Sequence, residues 1–259
     1  MRPPREEDQP GLARIFEVTT PPYLQPFVLP VTEAQRRRDG NLDIYWPADH
    51  QTGTPPVIVF VHGGPVPADL RPTPRDWPVY IGYGSLAASR GVVGVTVDHR
   101  LHSPTAWPAA ADDVAAAVEH ARGLAGVDPG RVALWFFSGG GLLAADWLAA
   151  PPPWLRCIAA TYPVLAPLPG PELDTRFRPM VAVRTAGALP FLLTRVGRER
   201  ADIAATVAAF TAEAELHHAQ LTVIDVPDGQ HGFDMLDHDE SSRAAVSQAM
   251  TWVVTALRH

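Results

Sequence analysis

The chain has 259 residues and a formal net charge of −7, with 46% hydrophobic and 19% charged residues. This composition suits one large globular domain and excludes a chain that is disordered throughout. The acidic balance argues against a nucleic-acid partner, because binding to a phosphate backbone usually needs a basic face. The single cysteine, Cys157, excludes an intrachain disulfide and a cysteine-based zinc site.

The N-terminal residues 1–30 are rich in proline and weakly patterned, so we expect them to form an arm that precedes a domain over residues 31–259. The basic run Arg36–Arg38 predicts a solvated turn. The next segment, Asn41–Trp46, alternates apolar and polar residues, which is typical of an edge strand.

Short apolar runs of the kind found in strands buried on both faces then recur along the chain. They are Pro56–Val61, Val92–Val97, Arg131–Phe137, Arg156–Thr161, Met180–Val183 and Leu221–Val226. Residues spaced four, three and four apart form helical stripes between or after these runs, over 114–125, 203–214 and 246–257. This alternation predicts a mostly parallel sheet with helices on both faces, in one α/β domain without a large cap domain. Functional residues should follow the carboxyl ends of the strands.

The strongest functional signal is Ser138, which follows the run ending at Phe137 and precedes three glycines. A serine on a tight turn from a strand into a helix, here from about Leu142, presents its hydroxyl above the sheet. The Gly139 N–H would then lie at a helix N-terminus, where it can stabilise an oxyanion. The alternative is an ordinary glycine-rich turn capped by the serine.

Two further motifs follow predicted strands. His62-Gly63-Gly64-Pro65 comes after Val61, and its glycines allow close approach of the backbone, with the Gly64 N–H as a second oxyanion donor; proline offers no N–H. We interpret His62 as a structural residue. His231 lies after the last strand, late in the chain, where a base for Ser138 is expected. The alternatives are a plain turn for the first motif and a surface histidine for the second.

These motifs resemble those of the α/β-hydrolase superfamily, in particular its dienelactone-hydrolase-like and carboxylesterase-like members. The resemblance covers about residues 41 to 258 and includes the stretch from Asp98 to Asp113. It implies that Ser138 is the nucleophile, that His231 is the general base, and that the N–H groups of Gly64 and Gly139 form the oxyanion hole.

The sequence departs from the family pattern at two places. The family's nucleophile motif has glycine two residues before the serine, where this chain has Phe136, and a bulky ring there would crowd Gly140. The triad acid is expected shortly after Met180–Val183, but no carboxylate occurs between Thr185 and Arg198.

Three carboxylates remain as candidates for the acid. We place Asp202 first, ahead of Glu199 and Asp174, with an N-cap as its alternative role. A Ser–His dyad without an acid is also open. Asp202 can reach His231 only if the segment 187–198 folds back towards the histidine loop.

These residues predict a serine hydrolase that cleaves a carboxylic ester or lactone through an acyl-enzyme on Ser138. The alternatives are a catalytically impaired fold that binds a ligand, and a lyase or cyclase of secondary metabolism. We expect no cofactor and no metal, because His99 and His102 lack a visible third ligand. The expected partner is a small ester-like molecule, with monomer or homodimer left open.

The first nine residues are charged and lack the apolar core of a signal peptide. No apolar stretch is long enough to span a membrane. We therefore expect a cytoplasmic protein without a membrane partner. Its basic residues other than histidine are all arginine, and the many alanines and prolines are typical of a GC-rich, bacterial genome.

Overall fold

The computed structural model describes residues 20–48, 53–170 and 173–259. Their centre is an eight-stranded sheet in the order β1-β2-β4-β3-β5-β6-β7-β8, in which β2 is antiparallel to both of its neighbours, β1 and β4, and all other neighbouring strands are parallel. The strands are β1 Arg36–Asp39, β2 Leu42–Tyr45, β3 Val57–Val61, β4 Val93–Val97, β5 Val132–Phe137, β6 Leu155–Thr161, β7 Phe191–Arg198 and β8 Leu221–Gln230.

Helices occupy both faces of this sheet. They are α1 Pro78–Ser89, α2 Trp107–Arg122, α3 Ala145–Ala149, α4 Pro179–Ala182, α5 Ala201–Leu216, α6 Phe233–Leu236 and α7 Glu240–Ala256. Short 3₁₀ helices cover Pro22–Leu24, Pro74–Asp76, Ser138–Ala144 and Val183–Thr185. Single helices and loops connect the described strands, and none of these connections forms a separate cap domain. The predicted fold class is therefore confirmed.

The central strands are buried on both faces, as their continuous apolar runs predict. Every residue of β3, β4 and β5 is buried. Alternate side chains of β3 enter two separate cores, so that Val59 faces α2 and α5 while Phe60 faces α1 and α7. Because β3, β4 and β5 are parallel neighbours, the loops that follow them meet at one edge of the sheet.

The basic run Arg36–Arg38, predicted as a solvated turn, forms the edge strand β1 instead. Its arginines meet a fully buried carboxylate: Arg36 and Arg38 both bind Asp43 on β2, at 2.8 to 3.0 Å. A buried carboxylate is stable only when it is paired, so Asp43 holds the arginine run against the sheet. The predicted edge strand 41–46 thus becomes the second strand, β2.

The prediction of a strand over Met180–Val183 is wrong. This segment lies in helix α4 and the 3₁₀ helix that follows it, and Pro179 occupies the first helical turn, where proline is well tolerated. Four apolar residues do not distinguish a strand from a buried helix. The strand at this place in the sheet is β7, which pairs with β6 on one side and β8 on the other.

The predicted N-terminal arm lies partly outside the described residues, because its first nineteen residues are not among them. From residue 20 onwards it packs on the domain: Val28 is buried, and its N–H donates to the carbonyl oxygen of Asp234. The ring of Phe27 lies over Gly82 of α1, where a side-chain Cβ would come within 2.3 Å of the ring. The boundary at residue 30 stays a prediction. No helix in the described part of the chain is long and apolar enough to cross a membrane.

Candidate active site

Ser138 lies on a sharp turn directly after β5. Its φ is +49°, a left-handed conformation that costs a residue with a side chain roughly 1–2 kcal/mol. The chain continues into the 3₁₀ helix Ser138–Ala144, so the α-helix expected from about Leu142 begins only at Ala145. The strained turn fits a residue that is held for its chemistry.

The glycines after Ser138 are required by close packing against two loops. A Cβ on Gly139 would lie 2.2 Å from the carbonyl oxygen of Gly64, and one on Gly140 would lie 2.5 Å from that of His62. A Cβ on Gly141 would lie 2.6 Å from the carbonyl oxygen of Val164, after β6. The turn at Ser138 therefore packs closely against the loops that follow β3 and β6.

Phe136 does not crowd Gly140 in the way the sequence predicts. Its ring is fully buried in the core beneath α2 and α3, together with Leu142 and Leu143. The atoms nearest to a Cβ on Gly140 are backbone atoms of Val61 and His62. The strained turn thus forms with a phenylalanine at this position.

Ser138 and His231 are in direct contact. The Ser138 Oγ lies 2.7 Å from the Nε2 of His231, and the Nδ1 of His231 lies 2.6 Å from Oε2 of Glu199. The Glu199 side chain is 4% exposed and that of His231 is 33% exposed. The other oxygen of Glu199 accepts the N–H of Arg200 at 2.8 Å, which holds the carboxylate in place. The three side chains form one hydrogen-bonded chain from carboxylate to hydroxyl.

The carboxylate beside His231 belongs to Glu199 and not to Asp202, which the sequence had placed first. Asp202 lies in the first turn of α5, where it binds Arg200 and accepts the N–H of Ile203. Asp174 accepts the N–H of Arg176 in another loop. The reason lies in β7: it ends at Arg198, so Glu199 is the first residue after the strand, whereas Asp202 belongs to the next helix.

The loop after β3 reaches Ser138. A Cβ on Gly63 would lie 2.8 Å from the Cβ and 3.3 Å from the Oγ of Ser138. Gly64 touches Gly139 through its backbone, and the Gly64–Pro65 peptide bond is cis. The two backbones predicted to supply the oxyanion donors are therefore neighbours, directly beside Ser138.

Two buried histidines, His62 and His99, stabilise this loop. His62 and His99 stack with ring centroids 3.7 Å apart, and the Nε2 of His99 lies 3.0 Å from the carbonyl oxygen of His62. Burial keeps both rings neutral, because it lowers the pKa of His99 to about 4 and that of His62 well below its ordinary value. His102 bonds the carbonyl oxygen of Val66.

Within the described residues, no cluster of three or more His, Cys, Asp or Glu side chains could hold a metal.

Aromatic side chains follow this loop over residues 77–83, and they pack in or against the core. Tyr80 and Tyr83 are buried, and both rings lie against Phe137. Trp77 donates its ring N–H to the carbonyl oxygen of Pro72 and lies beside Tyr80. These contacts are those of packing residues.

Glu199→Gln and Asp202→Asn form a matched pair that tests the acid. Both changes replace a carboxylate by an amide, three residues apart. We expect Glu199→Gln to lower kcat by about 10³- to 10⁴-fold, because the amide no longer stabilises the imidazolium of His231. Asp202→Asn should keep the activity within about threefold, since asparagine also suits a helix start. Ester hydrolysis and thermal unfolding of both variants check this; the reverse order of activity would restore Asp202 as the acid.

The BD-FAE family model matches residues 42–149, a segment that includes both the Gly64 loop and Ser138. No curated protein matches the sequence.

Solved structures share the fold at low sequence identity. A bacterial heroin esterase superposes with a TM-score of 0.70 and 18% identity, over 90% of this chain and 88% of that one. EstE1, a thermostable carboxylesterase cloned from a metagenomic library, reaches 0.68 with 19% identity, over 89% and 92%. DphMB1 reaches 0.66 with 23% identity, over 88% of each chain. Likeness at these identities establishes the fold, which is that of the α/β-hydrolases.

Proposed function

We propose that this protein, which has the α/β-hydrolase fold, cleaves a carboxylic ester or lactone through an acyl-enzyme on Ser138. The observation that carries the proposal is the hydrogen-bonded chain from Glu199 through His231 to Ser138. A serine hydroxyl is a weak nucleophile until a neighbouring base removes its proton. Here a base lies within hydrogen-bond distance of the hydroxyl, and a carboxylate orients that base.

In the first half of the reaction, the Nε2 of His231 takes the proton of Ser138 while Oγ attacks the carbonyl carbon of the ester. The carbonyl oxygen becomes an oxyanion, which the N–H groups of Gly64 and Gly139 are proposed to stabilise. The intermediate then collapses to the acyl-enzyme, and the leaving alcohol takes the proton from the imidazolium.

In the second half, a water molecule gives a proton to His231 and attacks the acyl carbon. The carboxylic acid leaves, and the proton returns to Oγ of Ser138. Glu199 stays ionised throughout; it fixes the ring with Nδ1–H towards the carboxylate and stabilises the imidazolium in both halves. The partial burial of this pair strengthens the interaction relative to a pair in water.

The chemistry of this site and the names of two structural relatives support the class of substrate that we propose. The heroin esterase and the carboxylesterase EstE1 are both named as ester-cleaving proteins. The proposed oxyanion donors are backbone N–H groups, which can bind the carbonyl oxygen of an ester or a lactone. We therefore propose an ester or lactone of a small molecule as the substrate.

A fluorophosphonate probe tests the proposal directly, since it forms a covalent bond only with an activated serine. We expect one probe per chain, located on the peptide that contains Ser138 by mass spectrometry. Asp202→Asn should label at the rate of the unmodified protein, whereas His231→Ala should label far more slowly. A chain that stays unlabelled while folded would favour the ligand-binding alternative, in which the fold no longer performs catalysis.

A further inference from the structure

Three residues after His231 lies a second carboxylate that the proposed reaction does not use. Asp234, in α6, has no exposed surface. The hydroxyl of Tyr162 donates to it at 2.8 and 3.0 Å, and the hydroxyl of Tyr83 donates at 3.0 Å. Burial of a carboxylate without a cationic partner is costly, and an apolar residue would fill this space more cheaply. The position therefore suggests a role beyond packing.

Tyr162 connects this carboxylate to the proposed base. It follows β6 directly and adopts a φ of +39°, a conformation that is rare for tyrosine. Its ring centroid lies 4.8 Å from that of His231, while its hydroxyl is held by Asp234. Tyr162 therefore contacts both groups and, like Ser138, is held in a strained backbone conformation.

The charge of Asp234 acts on His231 as well. Burial raises the pKa of Asp234 to about 6, and the hydrogen bonds from Tyr162 and Tyr83 and the charge of His231 act against this rise. Coupling of this kind is reciprocal: if a positive His231 favours the carboxylate, the carboxylate favours a positive His231.

The other titratable groups that face Asp234 are tyrosines. They are Tyr80, Tyr83 and Tyr162, and burial raises the pKa of each above its ordinary value, so they stay neutral donors. In the described part of the arm, Val28 contributes its backbone N–H, which donates to the carbonyl oxygen of Asp234. Above about pH 6 the Asp234 carboxylate thus carries a negative charge on the core side of the His231 imidazole.

We infer that Asp234 is a positioning residue, whose buried negative charge supports the imidazolium form of His231 and whose hydrogen bond to Tyr162 holds the ring that packs against it. This inference rests on the proposed function, in which His231 is protonated in both halves of the reaction. Glu199 binds Nδ1 of the imidazole directly, whereas Asp234 lies in the core and is connected to the ring through Tyr162.

The test compares Asp234→Asn with the unmodified protein, using a readout that needs no turnover. NMR of protein labelled with ¹³C at the histidine rings gives the pH at which His231 is half protonated, with His231→Ala used to assign the signal. We expect this midpoint to fall by at least about half a pH unit in Asp234→Asn, because the negative charge is gone. The acid limb of the pH profile of kcat/KM should move in the same direction, with kcat lowered severalfold and KM little changed.

Two further variants keep the test decisive if Asp234→Asn does not fold. Tyr162→Phe and Tyr83→Phe each remove one donor from the carboxylate, which favours its neutral form, so both should lower the His231 midpoint by a smaller amount. Tyr45→Phe is the control, because this buried tyrosine lies on β2 at the other side of the sheet. It should leave the midpoint where it is.

The outcomes separate this inference from the proposed function. An unchanged His231 midpoint in the folded variants would overturn the role of Asp234, even if activity fell through loss of stability. Absence of ester hydrolysis and of fluorophosphonate labelling in the unmodified protein would overturn the proposed function, while the midpoint could still be measured. A lowered midpoint in Asp234→Asn, with no change in Tyr45→Phe, supports the inference.

Discussion

Replacing Ser138 with alanine is expected to lower kcat for a short-chain p-nitrophenyl ester by roughly 10⁴- to 10⁶-fold. The hydroxyl that attacks the carbonyl is removed, and no other nucleophile occupies its place at 2.7 Å from His231. Any residual rate would come from substrate binding and the backbone donors of the oxyanion site. Initial rates measured by release of p-nitrophenol give the comparison.

The fold should survive this change. Alanine and serine bear the same backbone strain at a φ of +49°, and the side chain is bonded only to His231. Ser138→Gly is the matched control: glycine adopts this conformation without strain, so it should be as inactive as Ser138→Ala and more stable by about 1 kcal/mol. Thermal unfolding checks the stability. Either variant turning over at the unmodified rate would show that Ser138 is not the nucleophile.

Replacing His231 with alanine is expected to be about as damaging, again roughly 10⁴- to 10⁶-fold in kcat. Without the imidazole, Ser138 keeps its proton and the leaving alcohol has no donor. The double variant Ser138→Ala, His231→Ala should be hardly slower than either single variant, because groups that act as one unit lose their effect together. Rates of the three variants, measured with the same ester, test this.

A histidine outside the site serves as the control for this series. His218 is exposed after α5 and precedes β8, so it lies towards the opposite end of that strand from His231. We expect His218→Ala to keep the full activity. Losses that add up in the double variant would contradict a Ser–His pair, since they would mean that the two residues act in separate steps.

The position of Glu199 shows where sequence reasoning was misled and what signal was available. The apolar run Phe191-Leu192-Leu193, after Pro190 and before Glu199, has the composition of a buried strand. We instead assigned the strand to Met180–Val183, which also is apolar, and so expected a carboxylate between Thr185 and Arg198, before β7 has ended. The register of β7 between β6 and β8 resolves this ambiguity, because only that segment pairs on both sides.

Features carried by local sequence were determined by the sequence itself. Continuous apolar runs predicted β3 to β6, and a serine between such a run and three glycines predicted the turn at Ser138, because these patterns lie in adjacent residues. Which carboxylate meets His231, and that Asp234 and Tyr162 lie beneath it, was decided only by the tertiary structure. Glu199 and His231 are 32 residues apart in sequence, and Tyr162 and Asp234 are 72 apart. Such pairs meet because parallel strands end at the same edge of the sheet, and strand order and register, which arise from packing of the whole chain, select the residues that face one another.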